Sequence, residues 1–133
     1  MSLMPQIVRK GLIRDGYAIQ PVTGFMRTEM EIGMARQRRI ATAMPTNVSF
    51  KLLLNREAFS VFEAWYKHEL QNGAAWFSMP IYCGQGFVYT DTRFTDSYSV
   101  SAAAFELYEI ECHVECRELP VMDQETLRSY MNE

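Results

Sequence analysis

The chain has 133 residues, with 13 Lys+Arg against 16 Asp+Glu and 48% hydrophobic residues, which predicts one domain spanning 1–133 that folds without metal or disulfide staples. Apolar runs such as Leu52-Leu53-Leu54 and Ala102-Ala103-Ala104-Phe105 fall far short of the roughly 20 residues of a membrane helix. The formal charge of -3 disfavours a generic nucleic-acid surface, whose affinity rests on many Lys and Arg contacts to phosphate.

Met1-Ser2-Leu3-Met4 lacks the charged and apolar regions of a secretory signal and reads as an expression remnant before a native Met4. Residues 1–26 are punctuated by Pro5, Gly11, Gly16, Pro21 and Gly24, and are expected to form an extended arm with one or two edge strands. From Thr28 to Ile40 charged and apolar residues mix, and a strand with a bend at Gly33 is expected. Beyond Pro45, Val48, Phe50, Leu52 and Leu54 alternate with Ser49, Lys51 and Leu53, the period of a strand.

Asn55 then reads as a helix N-cap, because its side-chain oxygen can accept from the unpaired amides of the first turn. Leu54 and Phe59 have the spacing of a hydrophobic staple, and Phe59, Phe62, Tyr66 and Leu70 form an apolar stripe flanked by Ala58 and Trp65. An amphipathic helix over about 56–71 follows, with Asn72-Gly73 as its stop. Ala75 to Met79 reads as a short strand ended by Pro80, and Cys83-Gly84-Gln85-Gly86 as a turn.

Phe87 to Phe94 is a further strand by its aromatic and β-branched content, and Tyr98 to Ser101 starts another after the break at Asp96-Ser97. Tyr108, Ile110, Cys112, Val114 and Cys116 alternate with Glu109, Glu111, His113, Glu115 and Arg117, a strand with one buried and one charged face. Pro120 ends it, and in the C-terminal extension 120–133 Asp123 can cap a short helix through Met131. Strands, one helix, then strands predict a mostly β, antiparallel α+β domain with the helix over one sheet face.

Three cysteines, Cys83, Cys112 and Cys116, are too few for a secreted disulfide framework and point to a reducing compartment. On a strand, Cys112 and Cys116 lie about 13 Å apart, beyond disulfide reach. His113 points away from both, so the string Cys112, His113, Cys116 is read as buried cysteines rather than as metal ligands. His68-Glu69 resembles the start of a zinc-protease signature, but position 72 is Asn. Gly84-Gln85-Gly86 is too short for a phosphate fingerprint and no helix follows it. No catalytic, cofactor-binding or metal-ligating set is assigned.

The local charge features are the basic run Arg36-Gln37-Arg38-Arg39 and the acidic row Glu109, Glu111, Glu115. A solvated face is one reading of each. For the basic run a nucleic-acid contact is a second reading, which would want more lysines and interleaved exposed aromatics; the remaining one is a subunit contact in which Arg36, Arg38 and Arg39 of one copy meet the acidic row of a neighbour, the complementary head-to-tail arrangement that rings require.

The stretch Arg14-Asp15-Gly16-Tyr17-Ala18-Ile19-Gln20-Pro21-Val22-Thr23-Gly24 resembles the opening segment of the lambda-like phage minor tail protein M family. The resemblance continues through Val48 to Leu54, the helix with Phe59, Phe62 and Trp65, the progression from Gly73 to Phe77 and Pro80, and the last strand near Glu118, covering about residues 14–119. The chain departs from the family's pattern at 36–39 and beyond Pro120. The resemblance implies a structural virion protein of a siphovirus tail tip, encoded by a phage or prophage. It implies a β-sandwich or barrel-like domain with a flanking helix, like tail-tube and distal-tail proteins. Copies would assemble into a ring beside other tail proteins, in the virion tail and, during assembly, in the host cytoplasm. No catalytic residues or cofactors come with it.

Two other classes compete. A small-ligand or carbohydrate-binding module could use the rings of Trp65, Trp76, Tyr82 and Tyr89, and exposure of Trp76 would favour it over core packing. An enzyme would need a water-excluding cleft in which two of Glu109, Glu111, His113 and Asp91 converge.

Overall fold

The computed structural model describes residues 2–22, 25–28, 36–39 and 45–132; the expected bend at Gly33 lies outside the described residues. In chain order the elements are β1 (Ser2–Leu3), α1 (Gln6–Arg9), β2 (Leu12–Pro21), β3 (Phe25–Thr28), β4 (Arg36–Arg39), β5 (Thr46–Asn55), α2 (Arg56–Ala64) with a π-helical turn (Trp65–Glu69), β6 (Phe77–Cys83), β7 (Gly86–Phe94), β8 (Ser99–Ala104), β9 (Leu107–Cys116) and α3 (Gln124–Met131). The domain is mostly β and of the α+β class, as the order of elements predicts.

The two clearest alternations in the sequence build the centre. β5 and β9 pair antiparallel along their full lengths, from Thr46 opposite Cys116 to Asn55 opposite Leu107. This register sets Val48, Phe50, Leu52 and Leu54 beside Ile110, Cys112, Val114 and Cys116 on one buried face. β2 flanks β5, and the other edge of β9 is divided between β8, along Leu107 to Glu111, and β7, along Val114 to Cys116. β6 joins β7 through Gly84-Gln85, and β1 adds to β6 in parallel.

The path runs β1-β6-β7-β9-β5-β2, and one side chain of its end strand β2 reaches β6. The Tyr17 hydroxyl on β2 donates to the Tyr82 carbonyl on β6 and accepts from the Tyr82 N–H, each at 2.9 Å. The sheet is thus curled enough for a phenol on β2 to bridge the seam to β6 with no backbone ladder between the two strands. β3 and β4 form a separate two-stranded sheet, with Met26 opposite Arg38 and Thr28 opposite Arg36.

Helix α2 starts where the cap predicts, with Asn55 Oδ1 accepting from the Ala58 N–H at 2.8 Å. Its end differs from the expected 56–71. After Trp65, α-helical spacing would turn Glu69 inward; the Leu70 N–H instead bonds the Trp65 carbonyl at 3.1 Å, five residues back, so Leu70 is buried and Glu69 stays in water. Gln71, Asn72 and Gly73 then take positive φ. At Gly73 (φ 94°) a Cβ would lie 2.5 Å from the Tyr66 hydroxyl, so the stop needs glycine for its space as well as its backbone.

The core mixes aliphatic and aromatic side chains. Phe62 meets Tyr98 edge-on at 4.9 Å, Trp65 meets Phe77 at 5.0 Å, and Tyr66 meets Phe94 at 5.1 Å, tying α2 and its π turn to the strands beneath. Full burial of a Phe such as Phe62 is worth about 1.5–3 kcal/mol.

Two expectations are corrected. The N-terminal stretch is more than an extended arm with edge strands: α1 interrupts it, and Met4 and Val8 are fully buried in the core. Pro80 does not end a strand; β6 continues through it to Cys83. Alternation along β6 puts the Pro80 nitrogen on the same edge as the Tyr82 N–H, away from β7, where no ladder bond is required of it. At the C-terminus Asp123 caps α3 as expected, accepting from the Thr126 N–H at 2.8 Å, and no residue of α3 is buried.

Candidate functional site

The alternation of β9 sends Glu109, Glu111, His113 and Glu115 to the face opposite the core, next to Ser49 and Lys51 of β5. The acids find partners on neighbouring strands. Lys51 lies opposite Glu111 in the ladder, yet its ammonium reaches diagonally to Glu109, 3.1 Å away. That hydrogen bond, with the charge of Glu109 and then those of Asp15 and Glu111, raises the Lys51 pKa above its ordinary value. Arg93 of β7 reaches Glu115 at 2.6 Å. Glu111 lies 3.4 Å from His113 Nε2, and its side chain is 50% exposed.

The basic run occupies β4, four consecutive strand positions on the separate hairpin. Arg36, Arg38 and Arg39 thus stand on a different sheet from Glu109, Glu111 and Glu115. Two of the three acids already hold a cation of their own chain, which leaves Glu111 as the member of the row facing water beside a histidine.

Ser49 Oγ lies 3.0 Å from His113 Nδ1, so Ser49, His113 and Glu111 form a chain of the kind nucleophilic hydrolases use. The pair sits in a polar cleft of about 330 Å³ beside Thr95 and Asp96. Its surroundings do not complete such a site. Ser49 is paired with Ala18 on one side and His113 on the other, which commits the local amides to ladders instead of an oxyanion. With side chains 42% and 50% exposed, His113 and Glu111 also lie in water. Asp91 is elsewhere, on β7 opposite Ser78.

The aromatic candidates divide. Trp65 is core, its Nε1–H donating to Ser2 Oγ at 2.9 Å. Trp76 is half-buried, with the Arg93 and Arg117 guanidinium carbons 4.5 Å and 4.2 Å from its ring centre. Both guanidinium groups lie against the ring, so part of the surface a sugar would stack on is already covered. Tyr82 and Tyr89 are exposed.

Tyr82 borders a feature the sequence does not announce. Between β2 and β6 an apolar groove of about 360 Å³ has Leu12, Ile13 and Tyr17 on one wall and Pro80, Tyr82 and Phe87 on the other, with Arg14 adding a charge. Its walls come from segments almost 70 positions apart in the sequence, brought together by the curling of the sheet.

The cysteines are unpaired. Burial, and then the charge of Glu111, raises the Cys112 pKa far above the ordinary thiol value; burial also raises that of Cys116. Both stay protonated at neutral pH, which suits core packing better than ligation or nucleophilic attack. His68 is exposed, and no group of three or more His, Cys, Asp or Glu able to hold a metal occurs among the described residues. Compared with models of known protein families, with characterised proteins and with solved structures, the chain matches none.

Proposed function

We propose that this chain is a structural subunit of a bacteriophage or prophage tail, a tail-tip or minor tail component that joins its own copies in a ring and stacks on other tail proteins. The observation that carries the reading is the β3–β4 hairpin, a two-stranded sheet that pairs with no strand of the main sheet among the described residues. A hairpin of two strands is at best marginally stable in water, and in a ring the adjacent copy supplies a surface for it. The basic run on that hairpin and the exposed Glu111 on the acidic face give the contact complementary charge. The resemblance of residues 14–119 to the minor tail protein M family supports the same assignment.

Mass spectrometry of tails purified from the phage or induced prophage that encodes the chain tests this. The chain is expected there as a stoichiometric component, and its absence would refute the reading. Electron microscopy of the purified chain is expected to show rings that Arg38→Glu disperses and that adding Glu111→Arg restores.

A further inference from the structure

This chain exposes two apolar surfaces. The first is the seam groove, where Phe87 is 71% exposed and Tyr82 56%. The second is α3, whose Leu127, Tyr130 and Met131 recur at three- and four-residue spacing on one helix face, each 45% exposed or more. We propose that α3 of one copy docks across the seam groove of the next, with Tyr130 as the side chain that enters it. The inference rests on the ring reading for the presence of a neighbour, and it names the surfaces that meet in addition to the hairpin.

Charge favours this occupant. Residues 1–14 contain Arg9, Lys10 and Arg14 and no acid, whereas residues 118–133 contain four acids and a single base. Arg14 lines the groove. Arg9 donates to the hydroxyl of Tyr89, which lies opposite Pro80 of the groove wall. Within α3 Glu125 and Arg128 balance, and the excess acid of this segment flanks the helix; Asp123 and Glu125, at its start, bring acceptors to Arg14.

The size is also suitable. The eight residues of α3 make a rod about 12 Å long at 1.5 Å per residue, while a groove of about 360 Å³ takes large side chains rather than a whole helix. Groove and helix are different parts of the chain, so a copy with its groove filled still offers its helix, and contacts pass from copy to copy until they close, in a ring or in a reciprocal pair. Each contact is small and weak by the usual scale of interfaces, and closure of the ring adds the strength that a single one lacks.

Sedimentation of two full-length variants tests the proposal. Phe87→Asp spoils the groove and keeps the helix; Leu127→Asp does the reverse. Both positions are exposed, so circular dichroism and thermal melting are expected to match the wild type. The wild-type chain is expected to self-associate, more weakly in high salt, and each variant alone to associate at least about tenfold more weakly. An equimolar mixture is expected to recover a dimer, because one good groove and one good helix remain between the two variants. A mixture that stays monomeric, variants that associate like the wild type, or a monomeric wild type that takes up a long-chain fatty acid in the groove would each overturn it. Should the chain be present in purified tails while the mixture fails to dimerise, the docking is wrong and the tail reading stands.

Discussion

Tyr17→Phe removes one oxygen from the seam and leaves the ring in place. That oxygen serves two backbone groups of Tyr82, each at 2.9 Å. An intramolecular hydrogen bond contributes about 0.5–1.5 kcal/mol net, so losing both would cost about 1–3 kcal/mol if nothing replaced them. Tyr82 is 56% exposed, water can reach its N–H and C=O, and the expected loss is at the lower end, about 1 kcal/mol. With a urea m-value of about 1–3 kcal/mol/M, the unfolding midpoint falls by about 0.3–1 M. The Tyr82 amide should also exchange faster with solvent while amides in the β5–β9 ladder do not.

The same substitution has a pH signature. Burial, opposed by the bond to the Tyr82 backbone and aided by Cys83 and Cys116, raises the Tyr17 pKa above its ordinary 10.0. A raised folded-state value means that folding favours the neutral phenol. Its stabilisation is whole below pH 10 and is lost as pH climbs through the folded value. The wild type should therefore lose stability faster than Tyr17→Phe above about pH 10. Tyr98, raised by burial, and Lys51, raised by Glu109, act in the same direction but are present in both proteins and cancel in the comparison. An unchanged midpoint, or a stability difference that stays constant from about pH 9 to about pH 11, would refute the account of the seam.

Gly73→Ala forces a side chain onto a φ of 94° and against the Tyr66 hydroxyl; backbone strain and overpacking together should cost about 2–4 kcal/mol in urea unfolding, and a loss below about 1 kcal/mol would mean that the turn relaxes freely. The thiols should divide by burial: in the native protein a disulfide reagent at neutral pH should modify the half-buried Cys83 quickly and leave Cys112 and Cys116 until urea is added. Rapid labelling of all three would contradict the core placement of β9.

What could be read from sequence was what local periodicity controls. Val48 to Leu54 and Tyr108 to Cys116 each declare one buried face, and Asn55 and Gly73 mark the helix because caps and stops depend on a few adjacent residues. Pro80 misled because a missing N–H ends a strand only where a neighbour needs it, and the position of an edge is a tertiary fact. Helix α1 has four residues and no side-chain cap, too little signal for any pattern. The π turn follows from where the core lies relative to Glu69 and Leu70, which spacing alone does not reveal. The acidic row was legible as an outward face, but its partners Lys51 and Arg93 belong to other strands, and the groove exists only once β2 and β6 are side by side.

The central position of β9 also bears on how the chain is made. Its ladder with β5 joins residues more than 50 positions apart, and β5 is synthesised first. At about 5–20 residues per second, β5 waits for seconds with one edge unfilled before its partner exists. Folding is thus postponed until nearly the whole chain is available, and pairing over such distances is slow. A newly made β9 is an apolar strand exposed to other unfinished chains. Glu109, Glu111 and Glu115, set at alternate positions with a gap only at His113, put like charges along any pairing of β9 with another β9. Like-charge repulsion along the acidic row thus disfavours pairing between unfinished chains.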